Sequence, residues 1–252
     1  MSKQLDGRSI FITGGGSGIG RAVAITCAAA GASVFVTDKD LPSAESVASH
    51  IVGAGGRANA GRLDVTNEEE TKLAVDKAVV SHGHIDGACN AAGMTFQGRA
   101  LHEIDLEFWD LVQAVNLRGT FISMKYQLQA MLRNGGGSIV NIASTAGIAG
   151  IPNGSDYCAA KGGVVAMTRG AALDYATKNV RINAVLPGAT RTPMLQHALD
   201  IVPGLDEAIT GTNPMNRLGE PDEIANAVKW LISSEASFVT GLIMPVDGGT
   251  TT

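Results

Sequence analysis

The chain has 252 residues, a formal net charge of −5, 45% hydrophobic side chains, only 4% aromatic ones and 32 glycines. That length suits one large α/β domain with a sizeable core. No basic cluster resembles a nucleic-acid footprint, no apolar run approaches the ~18 residues of a membrane span, and the five histidines offer no metal constellation.

The N-terminal stretch Met1-Ser2-Lys3-Gln4-Leu5-Asp6-Gly7 has no apolar segment of the kind a signal peptide carries. Three scattered cysteines, Cys27, Cys89 and Cys158, read as reduced, mostly buried thiols, and a cytoplasmic location is expected. Strands are expected at Ser9–Thr13, Ser33–Thr37, Arg57–Leu63, Ile85–Cys89, Ser138–Ala143, Val180–Leu186 and Leu242–Val246. Helices are expected between them, at about 18–30, 42–54, 67–82, 104–133, 155–177 and 221–233. Asn67 and Asp222 are placed to cap or open their helices. His82 and His84 flank a glycine ahead of the fourth strand and read as loop residues.

This alternation of strand and helix predicts an α/β fold, a Rossmann-type, doubly wound parallel sheet of seven strands with helices on both faces. Several strands are apolar throughout, as a sheet covered on both sides requires. No boundary or repeat interrupts residues 1–252, so one domain for cofactor binding and catalysis is expected. The stretch at about 190–216 breaks the rhythm, as lids and binding loops do.

Tyr157 and Lys161 lie four residues apart, on one face of a helix. A free phenol ionises near pH 10, and a neighbouring ammonium favours its anion. Bringing it to about 7 takes roughly 4 kcal/mol. With the Ser144 hydroxyl beside them, the trio suits proton transfer to or from a substrate oxygen. The pair by itself is a weak motif, since many such pairs are solvated helix neighbours. A cofactor site elsewhere in the chain makes the difference.

The segment from Thr13 to Gly20, Thr-Gly-Gly-Gly-Ser-Gly-Ile-Gly, follows the first strand and opens a helix. Backbone N–H groups in such a turn approach a pyrophosphate, and the helix start favours its charge. Asp38 ends the second strand, where a carboxylate accepts hydrogen bonds from the adenosine ribose hydroxyls. The same carboxylate repels the 2′-phosphate of NADP, so NAD is favoured, although Lys39 follows directly.

Together these residues resemble the short-chain dehydrogenase/reductase family, in its single-domain branch of about 250 residues. Thr13, Gly14, Gly18 and Gly20 match the cofactor loop, which also includes Gly16, Ser17 and Ile19. Asp64 and Val65 match the pair flanking the adenine. Asn90-Ala91-Ala92-Gly93 matches the segment after strand four, and Asn116 the asparagine of the long central helix. Ser144, Tyr157 and Lys161 match the catalytic trio with its spacing of 13 and 4. Pro187 and Gly188 match the turn after strand six, Thr192 the threonine near the carboxamide, and Val246-Asp247-Gly248-Gly249 the C-terminal signature. Thr190 departs from the usual Ile or Val, yet its backbone still suits the carboxamide.

The resemblance implies an enzyme that interconverts a secondary alcohol and a ketone with NAD(H). Tyr157 would be the acid or base, Lys161 would lower its pKa and hold the nicotinamide ribose, and Ser144 would position the substrate oxygen. Asn116 would hold a water linking Lys161 to solvent. Met94, Thr95, Ala146, Ile151 and Met194 would approach the substrate. None is cationic, which suggests a small, uncharged, fairly apolar alcohol or ketone. The apolar residues of the lid mostly read as closing it onto the body.

The runner-up is an NADPH-dependent reductase of 3-oxoacyl chains on an acyl carrier protein, with Arg99, Arg118, Lys125 and Arg133 as a docking surface. A lyase or epimerase, or a non-catalytic NAD-binding regulator, is a more distant alternative. Relatives are commonly homotetramers, and the same is expected here. No metal, nucleic-acid or membrane partner is expected.

Overall fold

A computed structural model describes residues 4–201 and 204–252, so the lid residues Val202 and Pro203 lie outside the described residues. Seven parallel strands form one sheet in the order β3-β2-β1-β4-β5-β6-β7. They are β1 (Ser9–Thr13), β2 (Ser33–Asp38), β3 (Arg57–Arg62), β4 (Gly87–Asn90), β5 (Gly137–Ile142), β6 (Val180–Pro187) and β7 (Ile243–Val246). The chain runs outward from β1 to β3, then returns to place β4 on the other side of β1. That reversal opens a crevice beyond the carboxyl ends of β1 and β4, where Thr13 pairs with Asn90.

Helices α1 (Gly18–Ala29), α2 (Leu41–Gly53) and α9 (Pro221–Ile232) share one core with the sheet, through Val23, Val47 and Leu231 among others. Helices α3 (Glu68–His82), α5 (Gly119–Arg133) and α6 (Ser155–Tyr175) share the other, through Val75, Met131 and Ala172. All five residues of β1 are buried, which explains its unbroken apolar reading.

Four details differ from the sequence reading. The fourth strand begins at Gly87 rather than Ile85, because ladder pairing with β1 starts at Ile10–Gly87. A Cβ at Gly87 would lie 2.7 Å from both Ile10 and Ile232. The helix expected over 104–133 is divided into α4 (Leu106–Gln113) and α5 by a π-helical turn at Ala114–Arg118. There the Asn116 amide donates to the Val112 carbonyl at 3.1 Å and Thr120 Oγ1 to the Asn116 carbonyl at 2.8 Å. Side chains thus satisfy carbonyls in a widened turn. The stretch after β6 carries two short helices, α7 (Pro193–Ile201) and α8 (Leu205–Gly211). Glu220, not Asp222, caps α9; its N–H donates to the Glu223 carboxylate at 2.8 Å, and Asp222 lies in the first turn.

The capping role of Asn67 holds, whereas His82 lies in the last turn of α3 and not in the loop. Asn67 caps α3 by accepting the Glu70 N–H at 3.1 Å. His82 closes α3 and bridges Ser9 Oγ at 3.0 Å and Asn59 Oδ1 at 2.9 Å, while His84 pairs with Asp86 at 2.8 Å. Cys27 and Cys89 are buried, but Cys158 is only half-buried. Among the described residues no cluster of His, Cys, Asp and Glu could hold a metal, and no helix is long and apolar enough to cross a membrane.

A buried amide network crosses the second core. Asn90 and Gln127 exchange hydrogen bonds at 3.1 and 2.7 Å. Asn90 also donates to Asn141 Oδ1 at 2.9 Å, and Asn141 donates to Thr168 Oγ1 at 3.0 Å. All four side chains are buried, so each depends on the others for its partners. Replacing Gln127 with Leu leaves the buried Asn90 Oδ1 without its donor and is expected to lower stability by about 1–3 kcal/mol. Denaturant unfolding measures this, and an unchanged midpoint would show that the network contributes nothing.

Candidate active site

The glycine loop is shaped by close approach. Gly14 has φ +63°, and a Cβ there would lie 2.7 Å from the Ala92 backbone. At Gly20 a Cβ would lie 2.1 Å from the Gly14 carbonyl oxygen, so helix α1 starts hard against the loop. Ser17 is the N-cap residue of α1, yet its side chain makes no capping bond, which leaves the first N–H groups of the helix for an outside anion. Ile19 is half-buried against the first core. At Gly18 a Cβ would stand 3.4 Å from Thr192, so the loop also faces the start of α7.

Asp38 reaches this loop from the end of β2. Its Oδ2 accepts the Gly16 N–H at 3.0 Å and its Oδ1 the Asp40 N–H at 3.0 Å. A Cβ at Gly16 would fall 2.9 Å from that carboxylate. The loop, the uncapped helix start and the adjoining carboxylate fit a dinucleotide. Gly14, Gly16, Ser17, Gly18 and Asp38 are the residues that would hold its pyrophosphate and adenosine ribose.

The remaining expected cofactor residues line the same edge with different side-chain roles. The Asn90 side chain is committed to the buried amide network, so only its backbone and that of Ala91 and Gly93 are placed for a cofactor. Val65 is buried, packing where a Cβ on Gly119 would come within 2.7 Å. Asp64 accepts the Thr66 hydroxyl and N–H at 2.7 and 2.9 Å, bonds that hold its carboxyl below the usual range. Pro187 ends β6, and Gly188 leaves no space for a side chain against Asp247. Thr190 is buried, its hydroxyl turned to the Gly188 carbonyl at 2.9 Å.

Ser144 follows β5, and its Oγ accepts the Ala146 N–H at 3.1 Å. Tyr157 and Lys161 lie in the first two turns of α6. Lys161 is buried and donates from Nζ to the Ile142 carbonyl at 2.9 Å, with Nζ 5.6 Å from the Tyr157 ring centre. Burial pulls the ammonium down to about 8. Burial also pushes the Tyr157 phenol up to about 12, with the Ser144 hydroxyl acting in the opposite direction. The phenol is therefore raised and not lowered as expected from the sequence, because desolvation exceeds the effect of the Ser144 hydrogen bond. Part of the Tyr157 surface still faces the crevice.

Asn116 is buried beside this group. Its Oδ1 accepts the Met94 N–H at 3.2 Å and its Nδ2 donates to the Met94 carbonyl at 3.1 Å. A Cβ at Gly93 would meet Asn116 Oδ1 at 2.9 Å and Lys161 Nζ at 3.5 Å, which places both side chains around one glycine. The amide thus clasps the backbone of Met94.

Of the expected substrate residues, Met94 and Ile151 are half-buried, Thr95 is exposed, and Met194 is 45% exposed on α7. Ala146 is the exception: its side chain is buried, and its contribution is the N–H on Ser144. The lid's Leu195, Leu199, Leu205 and Ile209 are half-buried, so they do not close fully onto the body. Sequence reading missed Phe96, whose ring centre lies 6.0 Å from that of Tyr157 at a 50° tilt. It sits in an irregular segment, where no periodicity marks an inward side chain.

A family model described as enoyl-(acyl carrier protein) reductase matches residues 14–251. The 2,5-dichloro-2,5-cyclohexadiene-1,4-diol dehydrogenase of Sphingobium indicum is 44% identical over 98% of both chains. The chain belongs to the short-chain dehydrogenase/reductase family. The cyclohexanol dehydrogenase of an Acinetobacter species is 42% identical over 100% of this chain and 98% of its own. The crystal structure of levodione reductase superposes with a TM-score of 0.93 at 36% identity, covering 97% of this chain and 98% of that one. Membership makes the chain an oxidoreductase of secondary alcohols and ketones that uses a nicotinamide cofactor.

Of the two groups Lys161 is the first to lose its proton, near pH 8, while burial holds the Tyr157 phenol up at about 12. One microstate of the singly deprotonated pair is phenolate beside ammonium, the form that accepts a proton from an alcohol. kcat/KM for oxidation is expected to rise with pH through about 8, and that for ketone reduction to fall over the same range. In Lys161→Met the phenol must ionise alone, so the oxidation limb moves up by at least about one unit. A pH–rate profile with an unmoved limb would remove Lys161 from the titration.

Proposed function

We propose that the protein interconverts an uncharged cyclic secondary alcohol and its ketone, with NAD as the preferred cofactor. The observation that carries this reading is the gathering of the Tyr157 phenol, the Ser144 hydroxyl and the Lys161 ammonium beside the glycine cradle and Asp38. When bound, the cofactor supplies the hydride acceptor for the alcohol carbon. Tyr157 Oη takes the hydroxyl proton during oxidation and returns it during reduction. Ser144 Oγ, which already accepts from Ala146, has its own proton to donate to the substrate oxygen. Lys161 favours the phenolate and would hold the nicotinamide ribose of a bound cofactor. Asn116 keeps Met94 and Gly93 against Lys161.

The preference for NAD rests on Asp38, whose carboxylate is fixed at the loop by the Gly16 N–H. A 2′-phosphate brought to the same ribose would face it. The choice of a cyclic, uncharged alcohol rests on the apolar flank of Met94, Phe96, Ile151 and Met194, and on the ring alcohols named for the two dehydrogenase relatives. The carrier-protein reading is weakened by pairing within the chain. Arg99 bonds Asp105 at 3.0 Å, Lys125 bonds Glu68 at 2.7 Å, and Arg118 donates to the Thr66 carbonyl at 2.8 Å.

The same reading takes the chain as one domain with a substrate lid at about 190–216, and as a cytoplasmic homotetramer. Leu106, Phe121 and Leu173 are exposed along α4, α5 and α6, and Phe238 is fully exposed ahead of β7. Such apolar surface suits subunit contacts.

Two measurements test the proposal. Followed by the absorbance of the reduced cofactor over a panel of cyclic alcohols, the protein is expected to give higher kcat/KM with NAD than with NADP. Asp38→Ala should narrow the gap by roughly tenfold or more, since like charges in contact cost several kcal/mol. Equal use of both cofactors by the unmodified protein would sink the role of Asp38. Tyr157→Phe should lower kcat by about 10²–10⁴ while leaving NAD affinity nearly constant. Retention of more than ~10% of kcat would take the acid–base role away from Tyr157.

A further inference from the structure

Asp156 is wholly buried at the second position of α6, and no Lys, Arg or His pairs with it among the described residues. Burying a carboxylate without a cation is costly, so its remaining contacts carry information. Its Oδ1 accepts the Tyr157 N–H at 2.9 Å, within the first turn of the catalytic helix, where the helix dipole favours an anion. Its Oδ2 accepts the Gln97 N–H at 3.3 Å, 59 residues earlier in the chain.

Gln97 belongs to the irregular segment 91–100 between β4 and α4. Its side chain is held as well: Nε2 donates to Asp105 Oδ2 at 2.5 Å, and Oε1 accepts the Asp105 N–H at 3.2 Å. One residue before this clasp stands Phe96, with its ring beside that of Tyr157. The segment has no ladder of its own; Asn116 holds it at Met94, and the Asp156–Gln97 bond is the tie beside Phe96 that runs to the catalytic helix.

We propose that Asp156 is a positioning residue for the substrate. By holding Gln97 it keeps Phe96 beside Tyr157 as a flat wall, against which the carbon ring of a cyclic alcohol lies while its hydroxyl meets Tyr157 and Ser144. Asp156 and Phe96 together thereby set the preference for cyclic over open-chain secondary alcohols. A rigid ring covers an aromatic face without ordering rotatable bonds, whereas an open chain must lose them. This inference rests on the reading of the site as an alcohol dehydrogenase.

The test compares cyclohexanol with 2-hexanol in steady-state kinetics with NAD, alongside hydrogen exchange of the free protein. Asp156→Asn can keep its oxygen on the Tyr157 N–H and turns an NH2 toward the Gln97 N–H, so it cuts the loop bond and spares the helix start. Gln97→Pro removes the donor from the loop side and serves if the Asp156 variant fails to fold. Phe96→Ala is expected to raise KM for cyclohexanol about fivefold more than KM for 2-hexanol. Asp156→Asn should shift the same ratio in the same direction, and the double variant should be no worse than Phe96→Ala, because both act through one wall.

Amides 94–97 should exchange faster in Asp156→Asn, while those of α6 beyond its first turn keep their protection. Full additivity in the double variant, an equal effect on both alcohols, or unchanged exchange at 94–97 would each overturn the proposal. If the unmodified protein oxidises neither alcohol, the dehydrogenase reading of these substrates fails, and the exchange measurement still decides whether Asp156 holds the loop.

Discussion

Lys161 carries a charge into the core, and much of the site is arranged around that fact. Its side chain is 4% exposed, and desolvation brings its pKa from 10.5 to about 8. At about 1.4 kcal/mol per unit this is roughly 3 kcal/mol against the charged form. Between about pH 8 and 10.5 the unfolded chain holds a proton here that the folded chain has released. Stability attributable to this group therefore rises with pH across that window and is lowest, and flat, below it. The surroundings offset part of the cost. The Ile142 carbonyl at the end of β5 accepts from Nζ, and Tyr157 presents its ring. Gly93 leaves out a side chain that would meet Lys161 Nζ at 3.5 Å. A residue this costly to bury belongs where its charge is used, and here it stands beside the phenol of the proposed acid–base pair.

The phenol and the ammonium are displaced in opposite directions by the same burial. Burial disfavours phenolate and ammonium alike, and each is the natural partner of the other. Lys161 is thus the first of the two to lose its proton, near pH 8, while the Tyr157 phenol stays high until something other than burial favours its anion. That is a different route from a simple lowering of the tyrosine by a solvated lysine. It makes reactivity depend on a dry site, which a bound cofactor and substrate would make drier.

The strand–helix alternation was legible because a parallel sheet buried on both faces imposes continuous apolar runs, and the glycine loop because only glycine fits backbone at 2.1–2.9 Å. Ser144, Tyr157 and Lys161 were legible through spacing, since a strand end and a helical i, i+4 pair are regular objects. What escaped was set by contacts distant in sequence. The π-helical turn at Ala114–Arg118 depends on Asn116 reaching Val112 and on Gly119 packing against Val65. The inward turn of Asn90 depends on Gln127 and Asn141. Phe96 and Asp156 meet the site through a loop without periodicity. Ala146 meets Ser144 through its backbone N–H, a contact that its residue type does not encode.

The two halves of the site are held with different stiffness. Ser144 and Lys161 are anchored to the carboxyl end of β5, and the cofactor loop is wedged between β1, β2 and the backbone of Ala92. The substrate side is built from the irregular segment 91–100 and from α7 and α8. The latter are tied to the body at their roots, through the Thr190–Gly219 bridge and the Asn213 amide on the Asp247 carbonyl at 2.8 Å. Between those roots the apolar side chains stay partly open to solvent. On the proposed reading, proton transfer, which tolerates little displacement, sits on the sheet. Substrate shape would then be read by segments with few ties to the body, so one reaction class could serve many alcohols on this architecture.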